Sequence, residues 1–199
     1  MQILPLLEEG QYYHIYNRGN NREDIFIEEK NYKYFLTLYK KYILPIADTF
    51  AYCLMKNRFH LVVRIKEHPK ENFQGLGDLE GLDATNQFSK LFNAYAKAIN
   101  KAYDRTGGLF QKRFGRKEIT GERYLCRLIH YVHFNPQKHG FVADYRDYPY
   151  SSYQLLLSTD STMVLREEVL EWFGGKQYFQ EFHDNVAEEK EISAYIEGD

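Results

Sequence analysis

Arg127, Tyr131 and Asn135 stand four residues apart, the first two in and the third directly after a late segment, residues 122–134, whose apolar residues Leu125, Leu128, Ile129 and Val132 recur at helical spacing. On a helix the three polar groups share a face separate from the apolar stripe. A tyrosine can attack a phosphodiester and conserve the bond energy as a phosphotyrosine. It needs a cation, metal or arginine, to neutralise the phosphate oxygens. By type alone Tyr131 is one of 18 tyrosines, and its spacing does not single it out. A second cluster lies on residues 58–65, Arg-Phe-His-Leu-Val-Val-Arg-Ile. In an alternating strand Phe59, Leu61, Val63 and Ile65 point one way and Arg58, His60, Val62 and Arg64 the other. With the apolar set against the core, two arginines and a histidine face an open sheet surface, an arrangement suited to phosphate. If Ile15 is core, His14 looks onto the same surface, although a hydrogen-bonded structural histidine is the more ordinary reading of that residue.

The elements that must position these groups follow from pattern. Residues 12–17 read as a strand and Arg18-Gly19-Asn20-Asn21 as a turn. Residues 28–44 carry the helical stripe Tyr32, Phe35, Leu36 and Tyr39, ended by Pro45. Residues 49–55 and 58–65 form a hairpin around Lys56-Asn57. Residues 68–81 are a polar, glycine-rich loop, and residues 83–103 a long helix broken by Thr106-Gly107-Gly108. Residues 114–119 suit a short fourth strand, and the last helix, residues 122–134, is stopped by Asn135-Pro136. The order is that of an α+β, ferredoxin-like split βαβ fold: an antiparallel sheet, helices on one face, the other face open, first and third strands adjacent in the middle. Residues 1–155 are expected to form this domain. Residues 156–199 would be an acidic helical extension, packed around Trp172 and Phe173 before a solvated end.

The 199 residues are 44% hydrophobic and 17% aromatic, enough for a substantial core. No apolar run approaches the ~18 residues of a membrane helix, and the first ten residues do not read as a signal peptide. Cys53 and Cys126 lie in apolar segments and read as buried free thiols of a reducing cytoplasm. The net charge of -2 conceals an asymmetry: residues 161–199 carry three basic and ten acidic side chains, whereas the preceding 160 carry 23 basic and 18 acidic. A mildly basic body fits a nucleic-acid partner, though many ordinary enzymes share it. Some of the 18 tyrosines and 14 phenylalanines could stack on unpaired bases.

Four segments, in order and spacing, carry a resemblance: His14-Ile15-Tyr16-Asn17-Arg18-Gly19; Ala51-Tyr52-Cys53-Leu54-Met55-Lys56-Asn57-Arg58-Phe59-His60-Leu61-Val62-Val63; Leu109-Phe110-Gln111-Lys112-Arg113-Phe114; and Tyr131-Val132-His133-Phe134-Asn135-Pro136, followed by Gly140 and Tyr148-Pro149-Tyr150-Ser151-Ser152-Tyr153. Through about the first three quarters of its length the chain resembles the single-tyrosine HUH transposases of the REP-associated type. The resemblance implies a ferredoxin-like fold, which agrees with the pattern. It also implies Mg²⁺ or Mn²⁺ held by a histidine–hydrophobic–histidine pair on the third strand, with a further ligand four residues after the nucleophile. It implies attack on single-stranded DNA at a hairpin-marked site, leaving a 5′-phosphotyrosine and a free 3′-hydroxyl. Carried over, Tyr131 is the nucleophile, and His60 and Asn135 are metal ligands. Lys112, Arg113, Arg116 and Lys117 look like backbone contacts, with Arg18, Arg64 and Arg127 adding to the DNA-facing charge.

The chain departs from that pattern at Arg58, which stands where the first histidine of the pair is expected. A guanidinium stays protonated and has no lone pair for a metal. Three outcomes are open: weak metal binding with nicking lost, so that the protein only binds DNA; a metal held by His60, Asn135 and His14 or water, with some activity surviving; or an Arg58 guanidinium that clamps the phosphate in the metal's stead. The first makes the protein a catalytically silenced, domesticated hairpin-DNA binder. A protein-interaction module is the alternative of another class. Both monomers and homodimers are compatible with the resemblance.

Overall fold

A computed structural model describes residues 6–67 and 83–185. The predicted loop at residues 68–81 and the end of the acidic extension lie outside the described residues. Four strands, β1 (Tyr12–Arg18), β2 (Ala47–Met55), β3 (Arg58–Ile65) and β4 (Gly115–Glu118), form an antiparallel sheet in the order β2-β3-β1-β4. The first and third strands are therefore the central pair, as the split βαβ plan requires. Helices α1 (Glu29–Tyr42) and α2 (Ala84–Ala102) cover one face. The start of α1 is held by a reciprocal Glu28–Asn31 capping box, and that of α2 by Asp83 accepting from the Thr85 amide. Between them and the sheet lies an aromatic core in which Phe59 meets Phe35 at 5.4 Å and Phe92 at 5.1 Å between ring centroids.

The second face is not open. Helix α3 (Glu122–Lys138) lies across β2 and β3, and the short α4 (Tyr153–Leu157) is followed by α5 (Arg166–Trp172) and α6 (Lys176–Asp184). Trp172 of α5 packs on Tyr12 and Phe50, and His183 of α6 bonds His133 of α3. Helix α3 is thus buried on two sides: Tyr131 and Asn135 are buried, and so are His130 and His133. The outer edge of β2 is covered as well, since the Leu54 amide donates to the Tyr150 carbonyl, Ser152 to Tyr52 and Leu165 to Thr49. Such pairing removes an exposed strand edge.

Helix α3 also runs past the predicted stop. Pro136 sits inside its last turn, and hydrogen bonding resumes beyond it, the His139 amide donating to the Asn135 carbonyl. The proline removes one donor. Burial of most of the helix outweighs that single loss, and two residues beyond the proline, Lys138 and His139, continue the face that carries Tyr131.

Candidate nucleic-acid interface and tyrosine site

Strand register places Tyr12, His14, Tyr16 and Arg18 of β1 opposite Arg64, Val62, His60 and Arg58 of β3, and Lys117 of β4 opposite His14. Directly opposed residues share a face, so all of these lie on the side of the sheet that α3 partly covers. The His14, Tyr16 and His60 rings form a stacked group, His14 to Tyr16 at 4.8 Å and His14 to His60 at 5.2 Å. Gly115 faces Tyr16 across the strands, and a Cβ there would lie 2.3 Å from the Tyr16 ring. The glycine is what lets the tyrosine ring lie flat over β4, an aromatic covering an edge glycine.

His60 is buried beneath α3, its ring edge-on to that of Tyr131 with centroids 5.8 Å apart. The Nδ1 atom of His60 and Nε2 of His14 lie 3.0 Å apart in a hydrogen bond. When His60 donates in that bond, its Nε2 is the unprotonated nitrogen, so His14 sets the tautomer of its neighbour. Burial, first, and the charges of Arg58, His139 and Lys138, next, push the His60 pKa down to about 3, which keeps the imidazole neutral. Asn135 spends its amide nitrogen on the Tyr131 carbonyl at 2.9 Å, leaving its buried Oδ1 without a hydrogen-bond partner. The structure places Tyr131 and Asn135 one turn apart on α3, with the His60 ring edge-on to that of Tyr131. Two cations join them. Lys138 Nζ lies over the Tyr131 ring, 5.1 Å from its centroid, and Arg58 Nη1 lies 3.1 Å from His139 Nε2. Neither Lys138 nor His139 emerges from the sequence reading, because a helix stopped at Pro136 never reaches them. The signal was their spacing, seven and eight residues after Tyr131.

The fit of a divalent metal can be judged from the donors. One imidazole nitrogen and the orphaned Asn135 oxygen point to a ligand. No carboxylate joins them, and Arg58 and Lys138 already bring positive charge to the site. Among the described residues, no group of three or more His, Cys, Asp or Glu is placed to hold a metal. Mg²⁺ and Mn²⁺ favour oxygen-rich, carboxylate-bearing sites. The residues present do not fit such an ion.

The other predicted contacts separate. Arg64 does not stand on an open surface, because α5 reaches it: its guanidinium bonds Asp48 at 2.7 Å and Glu168 at 2.8 Å, as well as the Tyr12 hydroxyl. Arg116, one residue from Lys117, points through the opposite side of β4, where it donates to Thr85 of α2 and stacks on Phe114. Alternation along the strand makes that division unavoidable. Lys112 and Arg113 are exposed in the turn before β4, and Arg127 is half-buried one turn ahead of Tyr131. Arg18 and Arg58 are half-buried on the tyrosine side of the sheet. Cys53 and Cys126 are buried free thiols, and among the described residues no helix is long and apolar enough to cross a membrane.

The fold is similar to that of a REP-associated tyrosine transposase solved bound to a REP hairpin. The two superpose with a TM-score of 0.60 over 80% of this chain and 86% of that one, at 14% identity, so the fold is shared. In sequence the chain is similar to a Haemophilus influenzae protein described as a REP-associated tyrosine transposase, 29% identical over 106 residues. That match spans 53% of this chain and 58% of the relative, little more than half of its length. No protein-family model matches the chain.

Proposed function

We propose that this protein binds single-stranded, hairpin-bearing DNA on the face formed by β1, β3 and α3, and that its tyrosine site holds the strand without metal-dependent nicking. The observation that carries the reading is the meeting of Tyr131, His60 and Asn135 beneath a rim of Arg18, Arg58, Lys117 and Lys138. The solved neighbour's complex with a REP hairpin supports the choice of ligand. In this reading Tyr131 keeps the position of a nucleophile, and Lys138 above its ring would stabilise a phenolate. Arg58 stands where a lone-pair donor is needed, so the ion that would supply phosphate activation in the resembled enzymes, when bound, lacks its pair of imidazoles.

The test is direct. Hairpin oligonucleotides with single-stranded flanks are titrated against the protein over a range of salt, and then incubated with Mg²⁺ or Mn²⁺ and resolved under denaturing conditions. Salt-sensitive binding without a covalent adduct is expected. An adduct in the unmodified protein would refute the loss of nicking, and binding indifferent to salt, or absent, would refute the DNA interface. If Arg58→His alone restores an adduct, the remaining site is a competent nicking frame.

A further inference from the structure

We propose that Arg18 and Arg58 form a phosphate-binding site of their own, which takes a phosphodiester anion in place of the divalent ion. That the anion belongs to DNA rests on the function proposed above; the site itself does not.

The two arginines are directly opposed on the central strand pair. Like charges in that relation are destabilising. In this sheet nothing offsets them: among the described residues no carboxylate pairs with either guanidinium, and the Nε of each is buried without an acceptor. Among the described residues Arg58 hydrogen-bonds His139, which fixes the direction of the guanidinium and brings no negative charge to it. Lys138, the next residue along, adds a third positive charge toward the same end of the sheet.

Arg64 supplies the internal contrast. It lies on the same strand and the same face and is also half-buried, yet it draws carboxylates from two other elements, Asp48 of β2 and Glu168 of α5. Arg64 is neutralised within the fold. At Arg18 and Arg58 the fold has built the opposite, a pair of forked donors with their charge uncompensated. A guanidinium fork matches the non-bridging oxygens of a phosphate in bidentate geometry, and an anion between the two would turn cross-strand repulsion into attraction. His139 is then a positioning residue for Arg58.

The phosphate titrations use the full chain in the presence of EDTA. Inorganic phosphate is titrated while the arginine Nε–H signals are followed by NMR, with chloride as the ionic-strength control. The Arg18 and Arg58 signals should shift together and saturably, with Arg64 unmoved. Arg58→Ala or Arg18→Ala should abolish the shift of the remaining partner. Each variant should also lower the salt slope of hairpin binding by about 1, the contribution of one phosphate contact. Should an alanine variant fail to fold, Arg58→Gln, which keeps length and polarity but not charge, takes its place with the same expectation. A phosphate response at Arg18 and Arg58 in a protein that ignores hairpin DNA would keep the anion site and discard the DNA function. Tight hairpin binding with no phosphate response, and a salt slope unchanged in the variants, would overturn the site. Saturable Mn²⁺ broadening around His60 in the unmodified protein without EDTA would overturn the replacement of the metal.

Discussion

The contact between α3 and α6 makes acid stability a quantitative test of the packing behind the tyrosine. His130 and His133 of α3 and His183 of α6 form one buried cluster, with His133 bonded to His183 at 3.0 Å and to Ser152 at 2.9 Å, and His183 bonded to the Phe179 carbonyl at 2.8 Å. Burial pushes the pKa of His130 from 6.5 down to about 4. Burial, helped by His130, takes His133 down to about 3, and burial with the neighbouring imidazoles holds His183 well below the usual range. All three are neutral in the folded chain, whereas the unfolded chain takes up their protons as pH falls through 6.5. Their contribution is therefore complete above that pH and is lost below it, until the folded state itself protonates. In this window the loss per histidine follows the unfolded titration at about 1.4 kcal/mol per pH unit, whatever the depth of the folded value. For His130 and His133 together it reaches about 3 kcal/mol at a pH near 5.5, a large part of a typical total of about 5–15 kcal/mol. Urea unfolding midpoints measured at about one-half-unit pH steps from pH ~7.5 down to pH ~5 give the slope. His133→Asn, which cannot titrate, should start less stable by about 1–3 kcal/mol through its lost hydrogen bonds and then fall less steeply with acid. Stability flat between pH ~7 and ~5, or equal slopes in the two proteins, would refute the buried neutral cluster.

Three further outcomes are expected. Tyr131→Phe should leave hairpin affinity within a factor of about three and stability within about 1 kcal/mol, while removing any adduct that Arg58→His forms with Mn²⁺; an adduct persisting on denaturing gels would place the nucleophile elsewhere. Gly115→Ala should cost about 1–3 kcal/mol by driving the Tyr16 ring off β4, read as a lowered melting temperature, and an unchanged melting point would show that the ring yields freely. Glu168→Gln should cost at most about 1 kcal/mol, because the Arg64–Glu168 pair is about 27–30% exposed and keeps Asp48; a denaturant midpoint shifted by several times that amount would mean the pair is the main anchor of α5.

What the chain revealed in advance divides along physical lines. Strand β3 was legible to its last residue, since period-two alternation and the Lys56-Asn57 turn bracket it. Helix α2 was legible between residue 83 and the Thr106-Gly107-Gly108 break. The end of α3 was not, because Pro136 is a local stop signal, and the burial that overrides it comes from elements far along the chain. The covered second face was not legible either. It depends on Glu168 finding Arg64 across 104 residues, and no periodicity encodes such a contact. Of the candidate site, Tyr131, Asn135 and His60 followed from the resemblance and converge in space. Arg116 and Lys117 part company for a reason already present in strand alternation. Lys138 and His139 became visible only once the helix was seen to continue.

Helix α3 also has a consequence for timescales. Its residues from Leu128 to Val132 are buried, with the sheet on one side and, on the other, Phe182 and His183 of α6 against His130. Their amide protons can reach solvent only when both layers part, so they belong with the slowest-exchanging protons of the chain, those released by global unfolding. The phenol of Tyr131 is thus mounted on one of the least yielding parts of the molecule. If DNA binds as proposed, the adjustment that brings a phosphate to that ring falls to the single-stranded DNA.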